Sequence, residues 1–432
     1  MHLAQRAYVL IVLTAATAIA GLWSPGHALL RWWHLPAALI LIGLAFEAYV
    51  VRKAALGIEV EVPLRAYLGR TLAAAFAFRN GSARTAVVEF AALLPEGFEA
   101  SEQLRRVVVP AHGIERSSMS LLPTQLGHHS WPPMPARLRG PLGIAWWTFE
   151  LHPSREVTVA PDIRRVARVS PRGNPAGTRP RRTVGAGSEL HQLRNYVQGD
   201  PLARIDWKAT ARTRRLVSRE FSEDQHLDVL VAVDAGRFSR VRAGRIDRLG
   251  LYANLAARLA EVVTPNDDRI GLLVFSDRPL ALCMPDRGLP AVVRVRRALE
   301  NISLSSAESD VTAAAVRVRR MLKHRGLVVL LTGFGDPATA EQLARAIRLL
   351  SPPHLVVVAG VENTEVAELA RREAGEWLDP WVSLAAQEQA ARAAAHRKLL
   401  RRLGTPVVCV REELLEQAVI TQYEALRRSR RV

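Results

Sequence analysis

Residues 196 to 212 read YVQGDPLARIDWKATAR, in which Asp200, Arg204, Asp206, Lys208 and Arg212 surround one aromatic ring, Trp207. Carboxylates and cations so spaced can brace a turn, pair with one another, or present a charged face to a partner. A second set of oxygens follows apolar runs further along. Asp234 closes HLDVLVAVDA, Asp277 follows RIGLLVFS, Ser309, Asp310 and Thr312 open SDVTAAAVRVRRML, and Thr332 and Asp336 follow GLVVLL. Converging carboxylate and hydroxyl oxygens are what a hard cation such as magnesium requires. Other chemistries lack their residues: there is no G-x-x-x-x-G-K-[ST] loop, no H-E-x-x-H and no G-x-S-x-G, and Gly185-Ala186-Gly187 has no strand before it. Nucleotide hydrolysis by this chain is therefore not expected. Cys283 and Cys409 stand far apart without metal-ligand spacing, as expected of buried, reduced thiols. His128-His129, beside Trp131-Pro132-Pro133, is expected in a loop rather than on a metal.

The elements that must position these residues fall into segments. Residues 1–55 predict a transmembrane hairpin, with spans at about 7–26 and 32–51: AYVLIVLTAATAIAGLWSPG carries no charge, and WWHLPAALILIGLAFEAYVV is interrupted only by His34 and Glu47. Trp32 and Trp33 are placed like an interfacial belt. A cleavable signal peptide ending near Ala18-Ile19-Ala20 is the alternative for the first span. With Arg52 and Lys53 after the second span, the positive-inside rule puts everything after residue 52 on the cytoplasmic side of the inner membrane in either case. Glu47 is expected near the cytoplasmic end of its span, within reach of water.

Residues 56–163 alternate short apolar stretches (IEVEVPL, TLAAAFAF, TAVVEFAALL, RRVVVPA, IAWWTFEL, REVTVAP) with turn residues, which predicts an all-β, immunoglobulin-like sandwich without cysteines. Residues 164–188, rich in Arg, Pro and Gly, read as a linker, with anionic lipid as one counter-charge for the arginines. From 226 to 432, short β-branched runs alternate with amphipathic helices, which predicts an open, parallel α/β sheet. The chain as a whole has 59 Lys and Arg against 41 Asp and Glu, a net charge of +18 that calls for an anionic surface or an acidic partner. Nucleic acid is favoured by charge alone, since the arginine run has no interleaved aromatics for bases to stack on.

Between linker and α/β sheet, residues 189–225 carry Leu193, Arg194, Tyr196, Gly199, Asp200, Arg204, Ile205, Trp207, Thr210, Ala211 and Arg212. This pattern resembles the signature of the bacterial family catalogued as domain of unknown function 58, with threonine for its serine. The resemblance implies a membrane-anchored, non-catalytic protein with a von Willebrand factor type A-like domain. Its implied partners are a MoxR-type AAA+ ATPase and other type-A-domain proteins, with which it assembles or matures complexes. No cofactor is implied. The alternative is a magnesium-dependent adhesion module holding its metal on Asp234, Thr312 and Asp336. Against it, glycine and phenylalanine take the serine positions in Asp234-Ala235-Gly236-Arg237-Phe238-Ser239, and Arg237 adds positive charge. Within the signature, Gly199-Asp200-Pro201 reads as a turn. A helix starting near Ala203 would align Arg204, Lys208 and Arg212 on one stripe and send Trp207 toward the sheet.

Overall fold

A computed structural model describes residues 2–22, 33–100, 104–162, 184–185, 189–222, 226–335, 337–373 and 375–429. The chain begins with β1 (His2–Leu3), α1 (Gln5–Leu22) and α2 (His34–Arg52). Then come β2 (Leu56–Glu61), β3 (Arg65–Tyr67), β4 (Leu72–Asn80), β5 (Ala86–Ala91), β6 (Phe98–Glu99), β7 (Leu104–Val109) and β8 (Ile114–Pro123). They are followed by β9 (Gly127–Ser130), β10 (Met134–Arg139), β11 (Ala145–Leu151) and β12 (Glu156–Ala160). The signature region holds β13 (Val184–Gly185), β14 (Glu189–Asn195), α3 (Trp207–Thr213) and β15 (Val217–Ser222). The remainder runs β16 (Asp228–Asp234), β17 (Arg242–Ala243), β18 (Ile246–Asp247), α4 (Arg248–Val263), β19 (Arg269–Phe275), β20 (Pro279–Asp286), α5 (Gly288–Glu300) and α6 (Val311–Met321). It closes with β21 (Gly326–Leu331), α7 (Pro337–Leu350), β22 (Leu355–Val361), α8 (Thr364–Leu369), α9 (Asp379–Arg402), β23 (Val407–Val410) and α10 (Glu412–Ser429). Two compact units divide these elements: Met1–Asp162 with Ala235–Asn254 and Arg296–Ser306, and Ile163–Asp234 with Leu255–Val295 and Ala307–Val432.

In the first unit a five-stranded sheet (β1-β11-β10-β5-β7) faces a four-stranded one (β2-β4-β8-β6). Phe76 and Phe78 of β4 meet Phe90 of β5 at 5.7 and 4.7 Å between ring centroids, filling the core of a β-sandwich with tilted aromatic pairs. A third sheet, β3-β12-β9, includes one parallel pair, β3 with β12. His128 and His129 sit within β9 and pair with β12, not in the expected loop: the period-2 pattern is hidden when the side chains facing outward are polar. His128 is held on both ring nitrogens, by Thr158 at 3.0 Å and Asn301 at 2.9 Å.

Among the described residues, one helix, α2, is long and apolar enough to cross a membrane by length and composition. The apolar helix α1 falls short of the same measure, and residues 23–32, which include Trp32 of the expected second span, lie outside the described residues. Leu39, Leu41 and Ile42 of α2 and Val9, Val12 and Leu13 of α1 are exposed. Glu47 does not reach water. It is fully buried, and its carboxylate accepts N–H groups of Leu142 (3.0 Å), Ile144 (3.0 Å) and Ala145 (2.9 Å). Opposite it Gly140 leaves the room the carboxylate occupies, since a Cβ there would lie 2.1 Å from Glu47 Cδ. A buried carboxylate is tolerable because several donors replace its hydration.

The second unit is built on a six-stranded sheet ordered β20-β19-β16-β21-β22-β23. β16, β19, β21, β22 and β23 run parallel, and both faces of β16 and β21 are buried, hence their unbroken apolar runs. β20 is antiparallel to β19, so the sheet is mixed where a parallel one is expected. On one face α6 and α7 pack Val311, Ala315, Val318, Leu343 and Ile347 against Leu230, Leu273, Val328 and Val358. At the start of β19, the fully buried Asp268 accepts from the Leu227 N–H (3.0 Å), the Tyr423 hydroxyl (2.6 Å) and Arg427 Nε (2.8 Å), tying α10 to the sheet. Burial and the Asp268 charge hold the Tyr423 hydroxyl well above its usual range, so it stays a donor. Cys283 and Cys409 form no disulfide among the described residues and are half-buried rather than buried. Of the expected linker, only Val184–Gly185 is among the described residues, as β13.

Candidate functional site

The signature is a small sheet, β13-β15-β14, whose antiparallel strands β14 and β15 are joined by a turn, a 3-10 helix over Leu202–Arg204, and α3. Gly199 has φ of +110°, a conformation glycine adopts without strain, and Asp200 closes the turn by accepting the Val197 N–H at 3.1 Å. Arg194 donates to Asp200 at 2.8 Å. That bond and the Val197 amide hold the Asp200 carboxyl below its usual range. The Tyr196 N–H bonds the Leu216 carbonyl across the strands at 2.8 Å.

α3 starts at Trp207, not near Ala203, because Asp206 is its N-cap: the carboxylate accepts the Ala209 N–H at 2.9 Å and pairs with Arg219 at 3.1 Å. The amide bond, with Arg219 behind it, depresses the Asp206 carboxyl. Arg204 ends the separate 3-10 turn and is off the helix, so the expected three-residue stripe reduces to Lys208 and Arg212, one helical turn apart. Trp207 also departs from expectation. Its side chain is 65% exposed, and Ile205, bridged to Ser218, is buried in its stead.

Asp200 and Asp206, the two acids between residues 192 and 219, are thus consumed by Arg194 and Arg219. Among the described residues, Arg204, Lys208, Arg212, Arg214 and Arg215 have no ion-pair partner, while Val197, Leu202 and Trp207 stand exposed beside them. The segment therefore offers solvent a basic, partly apolar face on a braced frame.

The second oxygen set converges in part. Asp234, at the end of β16, is buried; its Oδ2 accepts the Thr332 hydroxyl at 2.6 Å and its Oδ1 accepts the Ser309 hydroxyl. The hydroxyl that reaches Asp234 from the loop before α6 is Ser309 rather than Thr312, while Asp310 caps α6 by accepting the Ala313 N–H at 2.8 Å. Asp277 accepts the Ser276 hydroxyl at 2.6 Å, which lowers its carboxyl range. Asp336 lies outside the described residues. Among the described residues the trio supplies one carboxylate and two neutral oxygens, with the neighbouring Asp310 and Asp277 turned to their own donors. Thr332 directly follows a strand of unbroken apolar residues, and its place beside Asp234 follows from the adjacent parallel pairing of β16 and β21.

A mixed α/β sheet preceded by this braced signature defines a class of chain. Residues 192–393 match the model of the family described as protein of unknown function DUF58. Uncharacterized proteins of Mycobacterium tuberculosis and Mycobacterium bovis are 25% identical over 256 residues, covering 56% of this chain and 81% of each relative. Among solved structures, an aerotolerance-related membrane protein from Bacteroides fragilis aligns over 45% of this chain and 97% of its own, with 17% identity and a TM-score of 0.30. The CARDB domain of a Pyrococcus furiosus protein, crystallised with two metal ions, aligns over 25% of this chain and 96% of its own, with 11% identity and a TM-score of 0.19.

Proposed function

We propose that this chain is a non-catalytic, membrane-anchored interaction protein whose signature face docks a cytoplasmic MoxR-type AAA+ ATPase during the assembly or maturation of other complexes. The observation that carries this reading is the exposed Trp207 amid five cations without ion-pair partners among the described residues, between two acids, Asp200 and Asp206, that brace the segment. Exposed aromatic and arginine side chains on a rigid support are the residues that dominate protein interfaces. The sheet order, with one antiparallel edge strand, supports the likeness to a type A domain, and so to the family's implied partners.

The anchor is a two-helix hairpin in the inner membrane with the remaining domains in the cytoplasm. β1 pairs with β11 of the sandwich (His2 with Trp146, Leu3 with Ala145), and α1 follows it while α2 ends at β2. Both outer ends of the helix pair thus lie on the sandwich side, which favours two crossings over a cleaved leader. Detergent-solubilised protein is expected to retain the ATPase on an affinity column in the presence of nucleotide, and Trp207→Ala with Arg212→Ala to release it at unchanged melting temperature. Equal retention by the variant would remove the signature face from the interface.

The alternative reading, a magnesium-dependent binding module, has in its favour the two hydroxyls meeting at Asp234. Millimolar magnesium raising the melting temperature, reversed by chelator and absent in Asp234→Ala, would support it.

A further inference from the structure

We propose that the groove between the β19–β20 end of the sheet and α6 binds an extended acidic peptide anchored by apolar side chains. A cavity of about 240 Å³ opens there, floored by Leu273, Phe275 and Val316 and rimmed by Arg278, Arg317 and Arg320. Its two acids are already engaged. Asp277 takes the Ser276 hydroxyl and Asp310 caps α6, whereas the three arginines have no ion-pair partner among the described residues. Those neutral donors leave both carboxylates charged, so three arginines against two acids give the groove a net charge of +1, and guanidinium groups select carboxylates with paired hydrogen bonds.

β20 supplies the second half of the case. It is the edge strand of the sheet, and its outer side pairs with no strand among the described residues. Leu280, Leu282 and Met284, at alternate positions, are 37%, 41% and 51% exposed. Leu282 stands opposite Leu273 in register and so shares the face that floors the groove, while Leu280 and Met284 flank it at the two register shifts of the β19–β20 pair. Exposed edges usually carry charge to prevent pairing; this one is apolar from Leu280 to Met284 and bracketed by Pro279 and Pro285, which restrict any added strand to that stretch. An added strand with alternating apolar and acidic residues would set an apolar side chain on Leu282, with Leu280 and Met284 to either side, and its carboxylates on the arginines.

The proposal does not rest on the signature face, and loss of ATPase co-purification would leave it standing. The test is fluorescence anisotropy of the whole solubilised protein with labelled peptides of about eight residues, the length of β20. Alternating Leu and Glu is expected to bind saturably, at least about tenfold tighter than alternating Leu and Lys or alternating Ser and Glu. Arg317→Glu with Arg320→Glu is expected to invert the Glu-over-Lys preference, and Leu282→Ser to weaken both peptides. The charge-matched pair Arg371→Glu with Arg372→Glu is expected to bind as the natural protein does. Equal binding of the Ser and Glu peptide, an equal loss in the charge-matched pair, or no saturable binding would overturn the proposal.

Discussion

Asp268 and Asp234, inside the α/β unit, have both carboxylate oxygens met by donors of the fold, whereas Arg204, Lys208, Arg212, Arg214 and Arg215 on the signature segment meet no carboxylate among the described residues. In the first, these buried carboxylates are spent on holding elements together. In the second, a few internal pairs build the frame and the surplus faces outward. Charged residues that look alike in sequence are thus separated by a single physical question: whether the fold itself satisfies them.

Substitutions can break that contrast. The largest effect is expected at the Asp268 knot: Arg427→Ala leaves a buried carboxylate without its cation and should cost about 3–5 kcal/mol in denaturant unfolding. Asp247 is an intermediate case, a buried carboxylate that accepts the Gly250 N–H and has no ion-pair partner among the described residues. Burial pushes it up to about 6 from 3.8. Because the folded value lies above the unfolded one, this group's stabilising contribution is complete below about pH 4 and is lost as pH rises through 6, about 3 kcal/mol in all. Asp247→Asn should therefore stabilise the protein at neutral pH and flatten its stability profile across that window. Parallel profiles for variant and natural protein would assign the dependence to other groups.

Thr332→Val, which strips one donor from buried Asp234, is expected to cost about 1–3 kcal/mol. Asp206→Ala removes the α3 cap and should cost about 1 kcal/mol. Smallest is Trp207→Ala, within about 0.5 kcal/mol, because a side chain that is mostly exposed contributes little to folding. A loss of several kcal/mol there would mean that Trp207 braces the fold, and the contrast between the regions would fail.

How much of this could be read in the sequence depended on where each partner lies. β16, β21 and β22 were legible because strands buried on both faces are apolar throughout, and Asp234 was legible as the residue ending one of them. β8, β9 and β10 were not, since serine, histidine and arginine occupy their outward positions. β20 was hidden by its two prolines and its half-exposed edge. The signature's turn was readable locally from Gly199-Asp200-Pro201, yet the helix begins four residues beyond Ala203, where the Arg204, Lys208 and Arg212 spacing puts it, because Asp206 is its cap. Ser309 in place of Thr312 could be decided only by which side of the capping Asp310 faces the strand end.

Glu47 has a mechanical consequence. A helix turns about 100° per residue, so rotating α2 about its axis by one position would carry that carboxylate away from all three amides at once. The azimuth of the helix is therefore set by the sandwich rather than by its apolar surroundings. A torque on either would be transmitted to the other without slip.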